Sequence, residues 1–180
     1  MRRSIAAVLA FAGIGSADAA ETALAGFHAP QTEAERTLNE ILMATGRDDD
    51  ALDNLLDGRG KPGFHPTVDY RRFLTEALLR AIRDAEAALV KRDCGGTYRD
   101  GDICGLDYDP LTCAQDSNPR YLYRTETQNA GTARIAYAWP GQPAIAATYR
   151  LVLRDGQWKL DGIKCPADID SGQSDTFNMK

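Results

Sequence analysis

Ile145-Ala146-Ala147-Thr148-Tyr149-Arg150-Leu151-Val152-Leu153-Arg154-Asp155-Gly156-Gln157-Trp158-Lys159-Leu160-Asp161-Gly162-Ile163 is the stretch on which the fold turns. Ile145, Ala147, Tyr149, Leu151 and Leu153 recur at every second residue, the period at which side chains return to one face of a strand. Asp155-Gly156 is a two-residue hairpin signal, because a type I′ turn needs positive φ at both central positions. Trp158, Leu160 and Ile163 carry the returning strand. The step from Leu160 to Ile163 breaks the alternation at Asp161-Gly162 and predicts a bulge.

Working upstream, Ala133, Ile135, Tyr137 and Trp139 alternate between two turns, Asn129-Ala130-Gly131 and Pro140-Gly141-Gln142-Pro143. Tyr121, Tyr123, Thr125 and Thr127 line one face of a strand before them. Together these make a four-stranded antiparallel meander, after which residues 166–180 are polar and expected as a flexible tail.

The first half reads as helices. Thr32-Glu33-Ala34-Glu35 is a capping box, opening a helix from Glu33 to Ala44 with Leu38, Ile41 and Leu42 on its apolar face. Asp48-Asp49-Asp50 can cap a shorter helix through Leu56, which Gly58, Gly60, Pro62 and Gly63 end. After His65-Pro66 an apolar stripe runs through Tyr70, Phe73, Leu74, Ala77, Leu78, Ala81, Ile82, Ala85 and Leu89, predicting a long third helix. Thr75 offers a local restart within it, since threonine caps well. Arg72, Glu76, Arg80 and Asp84 alternate in sign opposite the stripe, as on a solvated face. Helices followed by a meander give the α+β class, one domain over residues 33–165. A curved sheet wrapped around the long helix leaves a cone with an open mouth, where a pocket is expected.

The chain has 180 residues, 43% apolar and 26% charged, with 21 basic against 26 acidic residues and a net charge of -5. That balance excludes the basic footprint of a nucleic-acid binder. No run approaches the roughly 20 apolar residues of a membrane span. Arg2 and Arg3, the apolar run Ile5 to Ile14, and Ala17-Asp18-Ala19 together read as a secretory signal over residues 1–19. No cysteine sits at that cleavage site, so the expected location is periplasmic or secreted, without a lipid anchor. Cys94, Cys104, Cys113 and Cys165 contain no C-x-x-C knuckle, which favours disulfides over zinc in an oxidising compartment. Three pairings are open. The expected one is Cys94–Cys104, closing the loop after the long helix, with Cys113–Cys165 tying the start of the sheet to its last strand. In the chain-entropy picture the first contributes about 3 kcal/mol and the second somewhat more.

Three segments together resemble a known family: Tyr70-Arg71-Arg72-Phe73-Leu74-Thr75, Asp109-Pro110-Leu111-Thr112-Cys113-Ala114-Gln115-Asp116, and Asp155-Gly156-Gln157-Trp158-Lys159-Leu160-Asp161-Gly162-Ile163. Their order is similar to that in uncharacterised small exported bacterial proteins with a nuclear transport factor 2-like, cone-shaped fold. The resemblance covers residues 33 to 165. It implies the fold and the export but no activity.

Catalytic chemistry is thinly supplied. Ser117, Ser171 and Ser174 are the serines beyond the signal, and His28 and His65 are not placed as bases beside a nucleophile. On the calcium-loop spacing Asp100, Asp102 and Gly105 fit, but Leu111 stands where a bidentate glutamate is required, so no metal is expected. The ligand-binding candidates are Arg71, Asp109, Gln115 and Asp116, polar residues in the segments that carry the resemblance. No cofactor or catalytic set is expected. The function expected is that of an exported binding module holding a protein partner or small ligand of the cell envelope at the cone mouth, including an inhibitor or immunity role. An acidic protein suits a basic partner, and a homodimer is open. The alternative is an isomerase- or lyase-type enzyme using Asp109 or Asp116 with Tyr70, Tyr121 or Tyr149.

Overall fold

The computed structural model describes residues 25–60, 63–99, 101, 104–116, 118–138, 145–167 and 174–179. The expected signal segment, Trp139 and the turn at 140–143 lie outside the described residues. The chain forms helices α1 (Glu33–Thr45), α2 (Ala51–Leu55) and α3 (Glu76–Cys94), then strands β1 (Leu122–Gln128), β2 (Thr132–Ala138), β3 (Ile145–Arg154), β4 (Gln157–Ala167) and β5 (Ser174–Phe177). The strands make one antiparallel sheet in chain order. The architecture is α+β, as expected, with five strands where the sequence predicts four.

The fifth strand comes from the segment expected as a flexible tail. Ser174-Asp175-Thr176-Phe177 pairs with β4 through Ile163↔Phe177 and Lys164↔Thr176, and Phe177 is buried. Gly162 permits this approach, since a Cβ there would lie 2.6 Å from the Asn178 carbonyl oxygen. The predicted bulge is present: Arg150 pairs with Gly162 and Leu151 with Leu160, leaving Asp161 as the extra residue. Asp161 fixes it by accepting the Thr75 hydroxyl at 2.7 Å and the Arg150 guanidinium at 2.7–3.0 Å.

The stripe predicted from Tyr70 onward does not run along a single helix. Tyr70–Arg72 is a 3₁₀ turn, and the helix restarts at Thr75, whose hydroxyl accepts the Leu78 N–H. Between them, Leu160 N–H donates to the Phe73 carbonyl and Thr75 N–H to the Leu160 carbonyl, both at 2.9 Å. The segment thus flanks the first half of β4, as β5 flanks the second.

One face of the sheet carries the core. Leu38, Ile41 and Leu42 of α1 and Leu78, Leu79 and Ile82 of α3 share it with Tyr123, Ile135, Tyr137, Tyr149, Leu151, Leu160 and Ile163. Tyr121 and Tyr137 meet edge to face at 5.3 Å, worth about 1 kcal/mol beyond area burial, and the Tyr137 and Tyr149 rings lie tilted at 5.4 Å. The capping box forms as read, and its Glu35 carboxylate is fully buried. Burial alone would raise the Glu35 pKa. The N–H of Gln31, the hydroxyl of Thr125 and the N–H of Thr32 overcome that and hold it below the usual carboxylate range.

Both expected disulfides are present, Cys94–Cys104 and Cys113–Cys165. They suit an oxidising compartment. No helix among the described residues is long and apolar enough to cross a membrane.

The fifth strand gives a direct test. Phe177→Ala removes its buried anchor and is expected to lower the unfolding free energy by about 3 kcal/mol in a urea titration. A loss below about 0.5 kcal/mol, the range of surface substitutions, would show that the segment does not belong to the core.

Candidate functional site

The site begins with a short turn. The Asp109 carboxylate accepts the Leu111 N–H at 2.8 Å, and the Asp109 N–H donates to the Ala114 carbonyl at 3.1 Å, so residues 109–114 fold back on themselves. The core tyrosines reach this turn from below. The Tyr149 hydroxyl donates to the Leu111 carbonyl at 2.8 Å, and the Tyr137 hydroxyl donates to the carbonyl of Thr112. Cys113, with φ at 55°, is tied to β4 by its disulfide. A residue with a Cβ adopts positive φ at some cost, so the covalent tie and the two phenols hold this geometry together.

Upstream, the long loop is fastened to α3. The Cys94–Cys104 bridge closes it, and the Glu86 carboxylate accepts the Leu106 N–H at 2.5 Å. Gly105, with φ at +78°, lies against that carboxylate where a side chain has no room. These ties deliver Leu106 to Asp109 to one side of a cleft.

The opposite wall is the connection from α1 to α2. Asp48 is its organising residue, accepting Asn54 Nδ2 at 2.9 Å and the Tyr70 hydroxyl at 2.9 Å. Burial raises the pKa of the Tyr70 phenol; the Thr45 side chain opposes that rise and the bond to Asp48 adds to it, so the phenol stays protonated as the donor. Thr45, 4% exposed, lies beside that phenol.

Between the walls lies a cleft of about 360 Å³ lined by Asp48, Asp49, Asp107, Asp109 and Asp116, with Thr45, Tyr108, Thr112 and Gln115. Among the described residues no lysine, arginine or histidine lines it. Asp49, Asp107, Gln115 and Asp116 form the exposed rim. Asp109 lies deeper, and burial is the main cause that raises its carboxyl to about 7. Hydrogen bonds from Leu111 and Thr112 oppose that rise, and the Asp48 charge adds to it.

Three of the four expected ligand-binding residues, Asp109, Gln115 and Asp116, therefore meet in one cleft. Arg71 does not. It sits on the 3₁₀ turn, half-exposed, with Asp57 at 3.6 Å and Asp69 at 3.8 Å, in a separate depression shared with Arg83. The sequence placed it beside the others only through the resemblance. Asp48 and Asp49 were read as helix caps and missed as wall residues. Two acid-rich segments in one chain, 48–50 and 107–116, were the available signal. Of the candidate phenols, Tyr149 donates to Leu111, Tyr121 accepts the Asn118 N–H at 3.2 Å, and Tyr70 donates to Asp48. Among the described residues no three His, Cys, Asp or Glu side chains converge as metal ligands.

The raised carboxyl carries a sign that can be checked. Asp109 ionises at 3.8 in its ordinary state and at about 7 in the fold, so the fold favours its neutral form. Its contribution to stability is complete at low pH and is lost as pH rises from about 4 through about 7. Asp109→Asn keeps the acceptor for Leu111 N–H and is expected to remove that decline in melting temperature. An identical pH profile for both proteins would contradict the placement of this carboxyl.

No protein-family model, curated protein or solved structure matches the chain.

Proposed function

We propose that the protein is an exported binding module of nuclear transport factor 2-like architecture that receives a cationic group in the acidic cleft. The group is a protonated amine or guanidinium, on a small ligand or on a basic side chain of an envelope protein. An inhibitor or immunity role is the form this takes when the cation belongs to an enzyme.

The single observation that carries this reading is the lining: five carboxylates and, among the described residues, no cationic side chain in one small cleft. The Asp48 charge raises the Asp109 carboxyl, and a cation entering between them relieves that repulsion. Asp109 supports the reading too, because a carboxyl poised near neutrality ionises when a cation arrives.

The enzyme alternative draws on the same Asp109 value, which suits a general acid or base at neutral pH. The phenols it would use are committed to partners, two of them at protein backbone. Binding is therefore the reading preferred.

Calorimetry with agmatine, which carries an amine and a guanidinium, tests the proposal against 1,4-butanediol as an uncharged chain. Saturable binding of agmatine alone is expected, weakening with salt. Asp49→Asn combined with Asp116→Asn, both at the exposed rim, is expected to reduce affinity by about tenfold. Equal binding by both proteins, or no preference for the cation, would overturn it.

A further inference from the structure

The face of the sheet opposite the core has the reverse charge. Strands β1 to β4 contain six basic residues, Arg124, Arg134, Arg150, Arg154, Lys159 and Lys164, against two acidic ones, Glu126 and Asp161, in a chain with a net charge of -5. Alternation directs them outward. Tyr123, Ile135, Tyr149 and Ile163 point into the core, so their neighbours Arg124, Arg134, Arg150 and Lys164 stand on the other side.

Register gathers these four. Arg124, Ala136, Thr148 and Lys164 lie in one cross-strand row, and Arg134 lies directly opposite Arg150 in the adjacent row. Arg150 is engaged by Asp161 at 2.7 Å and by the Asn178 carbonyl, and Asn178 and Met179 lie over its neighbour Gly162, so that end of the face is covered. Arg134 and Lys164 are exposed. Arg124 rests over the Phe27 ring at 4.6 Å, which holds its guanidinium at the surface. Asp161 offsets the repulsion between Arg150 and the Arg134 opposite it, and Arg124, Arg134 and Lys164 carry the charge left on the face.

The shape of the face selects the anion. Between the charges stand Ala136 and Thr148. A shallow array of cations, mostly arginine, fits an extended field of phosphates, which the guanidinium fork binds in pairs of hydrogen bonds.

We propose that the outer face of the sheet docks reversibly on anionic phospholipid headgroups, leaving the acidic cleft free for its own ligand. The contact is electrostatic, without inserted apolar side chains. It stands independently of what the cleft binds.

Co-sedimentation of the exported chain with phosphatidylglycerol–phosphatidylcholine vesicles, and with phosphatidylcholine alone, tests this. Binding is expected only to the anionic vesicles, falling as salt rises. Arg134→Glu combined with Lys164→Glu changes two exposed side chains, and an unchanged melting temperature would confirm folding. The double variant is expected to bind at least about tenfold more weakly. Absence of vesicle binding, or binding indifferent to the charge reversal, would overturn the proposal. Retention by a soluble polyanion such as heparin without vesicle binding would overturn it as well, assigning the face to a different partner.

Discussion

Two phenols decide where this protein can hold anything. Tyr137 and Tyr149 are fully buried, and a buried hydroxyl without a partner costs about 1–3 kcal/mol. Their partners are the backbone carbonyls of Thr112 and Leu111, buried groups with the same need. Each satisfies the other only if the 109–114 turn lies across the end of the core. The Cys113–Cys165 bridge makes that placement covalent. With the turn drawn down, the interior beneath it is filled by tyrosine rings, and the open volume is displaced sideways toward α1 and α2. The acidic cleft is the consequence.

Much of the fold was legible in local chemistry. Asp155-Gly156 turns with φ of 50° and 76°, as its hairpin signal requires, and the break between Leu160 and Ile163 is a bulge. The capping box at Thr32 and the restart at Thr75 depend on residues three positions apart, so sequence reveals them. The failures are non-local. Tyr70, Phe73 and Leu74 keep helical spacing, but hydrogen bonds to Leu160 take that backbone away from the helix. β5 offers one apolar residue, Phe177, and its pairing rests on the bare Gly162 surface of β4. No period in a four-residue polar strand could announce it.

The cleft divides in the same way. Asp109, Gln115 and Asp116 share one turn and its continuation, so a local reading finds them together. Asp48 and Asp49 join them from about sixty residues upstream, through the ties of Tyr70 to Asp48 and of Leu106 to Glu86. Arg71 is next to Tyr70 in sequence, yet its side chain turns to Asp57 and Asp69. Two carboxylates at that distance neutralise it in place.

The molecule thus separates its charges, with carboxylates around one cleft and cations across the outer sheet. The account stands or falls on the claim that the ligand sits beside the pinned turn and not beneath it. A crystal structure with agmatine bound tests this most directly. The account predicts a cationic end within hydrogen-bond distance of the Asp48, Asp109 or Asp116 carboxylates, with Tyr137 and Tyr149 still bonded to the turn. Ligand found among the tyrosine rings, with the 109–114 turn displaced, would contradict it.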